Sequence, residues 1–127
     1  MEIVLDTNAV SDLLKNRPEI LKVLQPYSKL LLPSVVAGEY LFGIRGSTKE
    51  RELSRVFFEL VSICEVLPID YKAAEQYAVV RAHLKASGNP IPSNDLWIAA
   101  ATLARKGPLL TRDGHFSKVP GVRVVNW

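Results

Sequence analysis

The feature that most constrains the fold is the regular alternation of short apolar runs with longer segments of helical periodicity. The runs are rich in Val, Ile and Leu and only a few residues long, which is the length of a strand rather than of a helix. Strands that alternate with helices are typical of βαβ units, whose crossover helices cover a parallel sheet. The sequence therefore predicts an α/β domain with a five-stranded parallel sheet flanked by helices. The predicted strands are residues 3–5, 30–32, 65–69, 109–111 and 122–125.

Proline, glycine and small polar residues mark where the helices should begin and end. Helices avoid the residue before proline and commonly end at glycine, whereas Ser, Asp and Asn are favoured at the N-cap. On these signals the helices should cover about residues 9–15, 18–25, 35–45, 48–61, 71–87 and 95–106, with Gly107 ending the last. The predicted N-caps are Ser34, Ser47 (in a capping box with Glu50), Asp70, and either Ser93 or Asn94.

Length and composition limit the class of protein. A chain of 127 residues has the size of one domain, so residues 1–127 are predicted to form a single domain. The longest uncharged apolar stretch, residues 96–104, is well short of the ~18 residues that a membrane span needs. Glu2 and Asp6 argue against a signal peptide, so we expect a cytoplasmic protein. With only Cys64 and two histidines, the chain offers neither an internal disulfide nor a zinc cluster.

Four acidic residues are predicted to meet at the carboxyl edge of the sheet, where ligands bind in open α/β folds. Asp6 directly follows the first strand, and Asp113 lies two residues beyond Thr111. Glu39 and Asp95 lie near the starts of helices, which reach the same edge if each helix runs back antiparallel to its strand. Close carboxylates repel by ~4 kcal/mol per pair at an effective dielectric constant of about 20, and a divalent cation would offset that repulsion. Ligand sets made of oxygen suit Mg²⁺ or Mn²⁺.

Each acid has a structural alternative when it is considered alone. Asp6 could cap the helix that follows it, and Asp95 is favoured in the first turn of a helix by the macrodipole alone. Asp70 also precedes a helix that is predicted to start at the same edge, and it is assigned only a capping role because no further motif surrounds it. The functional hypothesis therefore depends on the group of four acids rather than on any one of them.

Four segments together resemble the PIN-domain ribonucleases of the VapC toxin type: VLDTNAV, VVAGEYLFGI, PIPSNDLWIAAATLA and LLTRDGHFSKVPGVRVV. The resemblance spans essentially the whole chain. It implies a Rossmann-like three-layer fold with strand order 3-2-1-4-5 and RNA cleavage that depends on Mg²⁺ or Mn²⁺. It also implies a homodimer and a cognate antitoxin that neutralises the protein, which would be the toxin of a toxin–antitoxin pair.

Carried over residue by residue, the family's acidic quartet falls on Asp6, Glu39, Asp95 and Asp113. Asp6, Asp95 and Asp113 are expected to ligate the ion, and Glu39 to ligate a second ion or to orient water. His115 is assigned to loop packing or to substrate contact. The expected reaction is hydrolysis of an RNA phosphodiester by water that the ion activates. The supporting residues would be Thr7, Asn8, Asn94 and Thr111, each of which could equally be a turn or capping residue.

Basic residues could bring RNA to this acidic site. Without the four site acids, nine acidic residues remain against 16 basic ones, so the rest of the surface is distinctly basic. Arg112 and Arg45 are nearest in sequence to site elements and are the first candidates for phosphate contacts. The further candidates, for most of which a solvated helix face is the alternative, are Lys49, Arg81, Lys85, Arg105, Lys106 and Lys118.

Other classes of function fit the sequence less well. An aspartyl-phosphate enzyme needs a second acid two residues after the strand-one Asp, and this chain has Asn8 there. A catalytically silent binding or regulatory domain of the same fold stays open, because loss of the metal would leave the fold intact.

The apolar residues 40–42 and 57–58 exceed what one sheet-facing stripe requires. Either a partner chain or neighbouring helices should cover them.

Overall fold

The computed structural model describes all 127 residues and shows the alternation of strands and helices that the sequence predicts. The strands are β1 (Glu2–Leu5), β2 (Lys29–Pro33), β3 (Glu65–Leu67), β4 (Leu109–Leu110) and β5 (Val124–Val125). The helices are α1 (Thr7–Leu14), α2 (Pro18–Leu24), α3 (Ser34–Ile44), α4 (Glu50–Ile63), α5 (Tyr71–Ala86) and α6 (Ser93–Arg105). A 3₁₀ turn, Gly114–Lys118, lies between β4 and β5 and is absent from the sequence prediction. None of the helices is both long enough and apolar enough to cross a bilayer.

The strands form one parallel sheet in the order β3-β2-β1-β4-β5, which confirms the predicted order. The central strand is β1, in which Val4 lies opposite Leu31 of β2 and Leu109 of β4. Successive side chains of a strand point to opposite faces, and Ile3, Val4 and Leu5 are all fully buried, so both faces of the sheet are covered. β3 ends at Leu67, earlier than predicted, because Pro68 has no N–H for the ladder. β5 is likewise shorter than predicted.

Two helices that carry predicted site acids begin without a side-chain cap. Pro33 and Pro92 occupy the N-cap positions of α3 and α6, so the predicted caps Ser34, Ser93 and Asn94 are wrong. Proline fixes φ near −65° and holds the chain extended up to the first helical residue. The chain therefore passes from extended backbone directly into α3 and α6, and the positive ends of both helix dipoles lie close to the acids.

The other predicted helix ends are partly right. Asp70 caps α5 by accepting the N–H of Ala73 at 3.0 Å, as predicted. Ser47 does not begin α4: its hydroxyl accepts the N–H of Lys49, and this turn delays the helix to Glu50. α6 ends one residue before the left-handed residue Lys106, whose φ is 64°, so Gly107 is not the residue that supplies the positive φ.

Helix α5 runs in the opposite direction from the one expected. Its start lies beside the end of α6, where Asp70 lines a cavity with Arg105. In its middle, Tyr77 stacks on Trp97 with ring centroids 3.9 Å apart. Its last turns lie beside the first turn of α6, where Lys85 contributes to another cavity. Helices α5 and α6 are therefore antiparallel, and the prediction that Asp70 shares the edge of the four acids is wrong.

An ion-pair network joins the amino ends of three strands to the end of α6. Arg105 donates from Nε to Glu2 Oε1 of β1 at 2.8 Å and also binds both carboxylate oxygens of Glu65 in β3. Lys29 of β2 contacts the same Glu65 carboxylate. The hydrogen bonds from Arg105 and then from Lys29 lower the pKa of Glu65 to about 2, and Arg105 also lowers the pKa of Glu2. Arg105, a predicted phosphate contact, is thus engaged at the edge opposite the acids.

The aromatic residues of α3 and α4 divide between core and surface. Tyr40 and Phe57 are buried and pack against each other with ring centroids 4.7 Å apart. Neighbouring helices therefore cover these two, as the alternative interpretation held. Phe42 and Phe58, in contrast, are 81% and 70% exposed, so the predicted contact with another chain stays open for them.

Candidate active site

The structure brings the four predicted acids into one cavity. Asp6, Glu39, Asp95 and Asp113 all line an open cavity of about 790 Å³ at the carboxyl edge of the sheet. Asp6 follows β1 and Asp113 follows β4, whereas α3 and α6 supply the other two. Asp6 and Asp95 are only 4% and 8% exposed, which is unusual for carboxylates.

Thr111 joins two of the acids. Its hydroxyl donates to Asp6 Oδ2 at 2.6 Å and accepts the backbone N–H of Asp113 at 2.9 Å. The other oxygen of Asp6 accepts the N–H of Thr7 at 2.8 Å. Asp6 therefore caps α1 and also lines the cavity, so the capping and site interpretations of this residue are compatible. Thr111 thus contacts two of the acids, and the supporting role predicted for it stays a prediction.

Glu39 is held by residues from the starts of two other helices. The Thr7 hydroxyl donates to Glu39 Oε1 at 2.7 Å, and the Asn94 amide donates to Oε2 at 3.2 Å. Thr7 is the first residue of α1, and Asn94 lies in the first turn of α6. Both carboxylate oxygens of Glu39 are thus oriented by groups that the sequence analysis assigned to a supporting role.

His115, for which the sequence predicted loop packing or substrate contact, lies within the acidic cluster itself. Its Nδ1 lies 2.7 Å from Asp95 Oδ2 and 3.1 Å from Asp113 Oδ1. Its backbone N–H also donates to Asp113 Oδ1 at 2.9 Å, which begins the 3₁₀ turn and directs the ring back to the acids. The only sequence signal is the spacing Asp113-x-His115, which places the histidine one tight turn from a site acid.

The carboxylates are short of positive charge. Burial raises the pKa of Asp6, and the charges of Asp95 and Asp113 raise it further, against the hydrogen bonds from Thr111 and Thr7 that lower it. Burial likewise raises the pKa of Asp95, with Asp113 and Glu39 adding to the effect and His115 opposing it. Because the ionised forms of Asp6 and Asp95 are disfavoured, burying these two carboxylates beside other acids costs free energy that a bound cation would offset.

The arrangement of donor atoms fits a divalent cation. Asp95, Asp113 and His115 offer ligand atoms that all lie within 4.8 Å of one another. Ligands on opposite sides of a cation with bonds of 2.0–2.1 Å lie about 4.2 Å apart, so the three are close to the spacing that one ion requires. Asp6 and Glu39 line the same cavity, which therefore carries all four predicted site acids.

Three other predicted residues have no contact with the acids. Asn8 accepts the backbone N–H of Arg112 at 3.4 Å and so joins the start of α1 to the loop after β4. The Arg112 guanidinium donates to the Trp127 carbonyl, lies 4.5 Å from the centroid of that ring, and is 3.7 Å from Asp12. Arg45 is exposed at the end of α3. Their supporting and RNA-binding roles stay predictions.

The fold and the site define a class: a parallel α/β domain with four carboxylates and a histidine gathered at the carboxyl ends of the strands. The family model described as the PIN domain matches residues 3–122. The chain therefore belongs to the PIN-domain family.

Relatives that align with this chain over nearly their whole length have names that state an activity. Ribonuclease VapC1 from Haemophilus influenzae (strain R2866) is 30% identical over 132 residues, covering 100% of this chain and 98% of that protein. The tRNA(fMet)-specific endonuclease VapC of Salmonella typhimurium is 28% identical over 130 residues, with the same coverage. The crystal structure of VapBC2 from Rickettsia felis, bound to a DNA fragment from its promoter, has a TM-score of 0.89 at 25% identity and covers 100% of this chain and 99% of that one.

Proposed function

We propose that this protein is a metal-dependent endoribonuclease that acts as the toxin of a toxin–antitoxin pair and uses Mg²⁺ or Mn²⁺. The observation that carries the proposal is the buried acidic cluster, in which Asp6 and Asp95 have raised pKa values and Asp113 and Glu39 lie in the same cavity. The similarity to proteins named as VapC ribonucleases supports RNA as the substrate. A donor set dominated by carboxylates supports Mg²⁺ or Mn²⁺.

When bound, such an ion would lower the pKa of water and offset the negative charge that develops on the phosphate. The chain's own residues set the geometry. Asp6, Asp95 and Asp113 would hold the ion, with Thr111 fixing Asp6 and Asp113 relative to each other. Glu39, whose two oxygens are fixed by Thr7 and Asn94, would hold a second ion or orient the attacking water.

A cognate antitoxin protein is the proposed partner. The likeness to solved VapBC structures supports this assignment. The cavity itself continues from the acids over apolar side chains, so a protein that covered those side chains would also close the site. The apolar residues that line this extension are Leu14, Tyr40, Ile44, Leu53 and Val56.

The proposal is tested by incubating purified protein with total cellular RNA in Mg²⁺, in Mn²⁺ and in EDTA, and mapping the ends produced. We expect internal cleavage in either metal, none in EDTA, and none from Asp6→Asn. One discrete product would indicate a single structured target, and general degradation a less selective nuclease. If the wild-type protein leaves RNA intact in both metals, the catalytically silent PIN-like domain becomes the better account.

A further inference from the structure

A second cavity lies beside the acid site, between the end of α5 and the start of α6. Its volume is about 430 Å³, and Ser93 and Leu96 of α6 belong to its wall. Asn94 and Asp95, which lie between these two in the same helical turn, face the acid site instead. One turn of α6 therefore separates the two cavities. A polymer that is bound at the acids can also enter the second cavity, because the two cavities are neighbours.

The lining of this cavity combines an apolar floor with a cationic rim. Leu84, Ile91 and Leu96 are between 2% and 8% exposed and form the floor. Arg81 and Lys85, four residues apart on one face of α5, form the rim. The antiparallel course of α5 brings these cations to the acidic edge of the sheet.

The two cations are free to bind an anion. Neither Arg81 nor Lys85 forms an ion pair with a carboxylate, unlike Lys29, Arg55 and Arg105. Arg81 donates from Nη1 to the Tyr77 hydroxyl at 2.7 Å, which fixes the guanidinium. Its remaining N–H groups have no partner within the chain, so it can donate to a phosphate in the paired geometry that guanidinium groups favour.

From this lining we propose that the cavity receives one nucleotide of the RNA strand that is cleaved, next to the scissile phosphate. The inference rests on the proposed ribonuclease function. A nucleotide needs an apolar surface for its base and cations for its phosphate, and this cavity supplies both within a volume in the range of about 300–1,000 Å³ that small-ligand sites have. The other exposed basic cluster, Lys49, Arg51 and Arg55, lines a shallow cavity with no apolar residue, so it offers phosphate contacts only.

The phosphate contacts are tested with the double variant Arg81→Gln/Lys85→Gln. Its matched control is Lys72→Gln/Arg123→Gln, which removes the same charge from exposed positions at the opposite edge. Affinity for a labelled single-stranded RNA of mixed sequence is measured by fluorescence anisotropy in EDTA at several salt concentrations. The cavity variant should bind about 10-fold more weakly, and each lost contact should reduce the slope of log K against log salt by about 0.7. The control should change affinity less than about 2-fold.

The base contact is tested with Ser93→Tyr, which fills the mouth of the cavity and leaves the charge unchanged. We expect slower cleavage and a changed set of cleavage sites, with an unaltered melting temperature. If both double variants bind RNA equally, or if Ser93→Tyr cleaves the same sites at the same rate, the nucleotide site is wrong and the ribonuclease function stands. If wild-type protein cleaves no RNA, the ribonuclease function fails, and the anisotropy comparison still decides whether this cavity binds RNA.

Discussion

At the scale of single residues, substitution of Asp95 should change stability and activity in opposite directions. Asp95→Asn removes a charge that burial and the carboxylates of Asp113 and Glu39 disfavour, and the amide oxygen can still accept from His115. We expect the metal-free variant to melt a few degrees higher, on the order of 1 kcal/mol, and to cleave no RNA. Thermal melts in EDTA and in excess Mn²⁺, run beside the cleavage assay, measure both effects. A variant that melts lower in EDTA yet cleaves normally would remove Asp95 from the site.

A matched change at Asp70 separates this effect from helix capping. Asp95 lies three residues after the N-cap Pro92, which has no N–H for its carboxylate to accept, so a capping box cannot form there. Asp70 does cap a helix, through Ala73, and lies away from the acids. Because Asn is as good an N-cap as Asp, Asp70→Asn should leave both the melting temperature and cleavage nearly unchanged.

The sequence predicts the acids better than it predicts their surroundings. Asp6 could be located because it closes an apolar run, and this local pattern determines which edge of the sheet it occupies. The contact between His115 and Asp95 could not be predicted, since it depends on a short 3₁₀ turn that reverses the chain after Asp113. Arg112 precedes Asp113 in sequence, but its guanidinium packs on Trp127 because the last strand brings that ring close.

At the scale of helices and strands, the direction of α5 was the main feature that could not be predicted from the sequence. A helix that follows a parallel strand is expected to start at the carboxyl edge, and this expectation places Asp70 beside the acids. β3 is only three residues long, and residues 68–70 allow α5 to begin near the end of α6 instead. Helical periodicity is the same in either direction, so it could not reveal this arrangement.

The outer faces of α3 and α4 give a prediction about assembly. Phe42 and Phe58 expose large apolar surfaces. Exposed apolar surfaces of this kind often mark sites of contact with another protein chain. We expect a homodimer that dissociates on Phe42→Ser/Phe58→Ser, measured by sedimentation velocity across a range of concentrations. The control is Tyr71→Ser/Val79→Ser, which removes two similarly exposed apolar side chains from α5. A wild-type protein that sediments as a monomer at high concentration contradicts the homodimer.

At the scale of the whole molecule, the two edges of the sheet respond oppositely to pH. At the carboxyl edge, the raised pKa values of Asp6 and Asp95 mean that the folded protein takes up protons more readily than the unfolded chain. Its stability therefore rises as pH falls from neutral towards the ordinary Asp value near 3.8. At the amino edge, the pKa of Glu65 is lowered from 4.5 to about 2, so its contribution is present above about pH 4.5 and is lost between that pH and about 2.

These opposite responses predict a maximum of stability near pH 4–5 in the metal-free protein. Melting temperatures measured between pH 2 and 8 without metal should rise from pH 7 to the maximum and then fall. Asp95→Asn should flatten the rise, because it removes one of the two groups that take up a proton there. Glu65→Gln should leave the rise in place and weaken the fall, since the carboxylate that takes up a proton between about pH 4.5 and 2 is then absent. If metal-free stability instead declines steadily from pH 7, the carboxylates at the strand ends do not repel one another enough to need a cation.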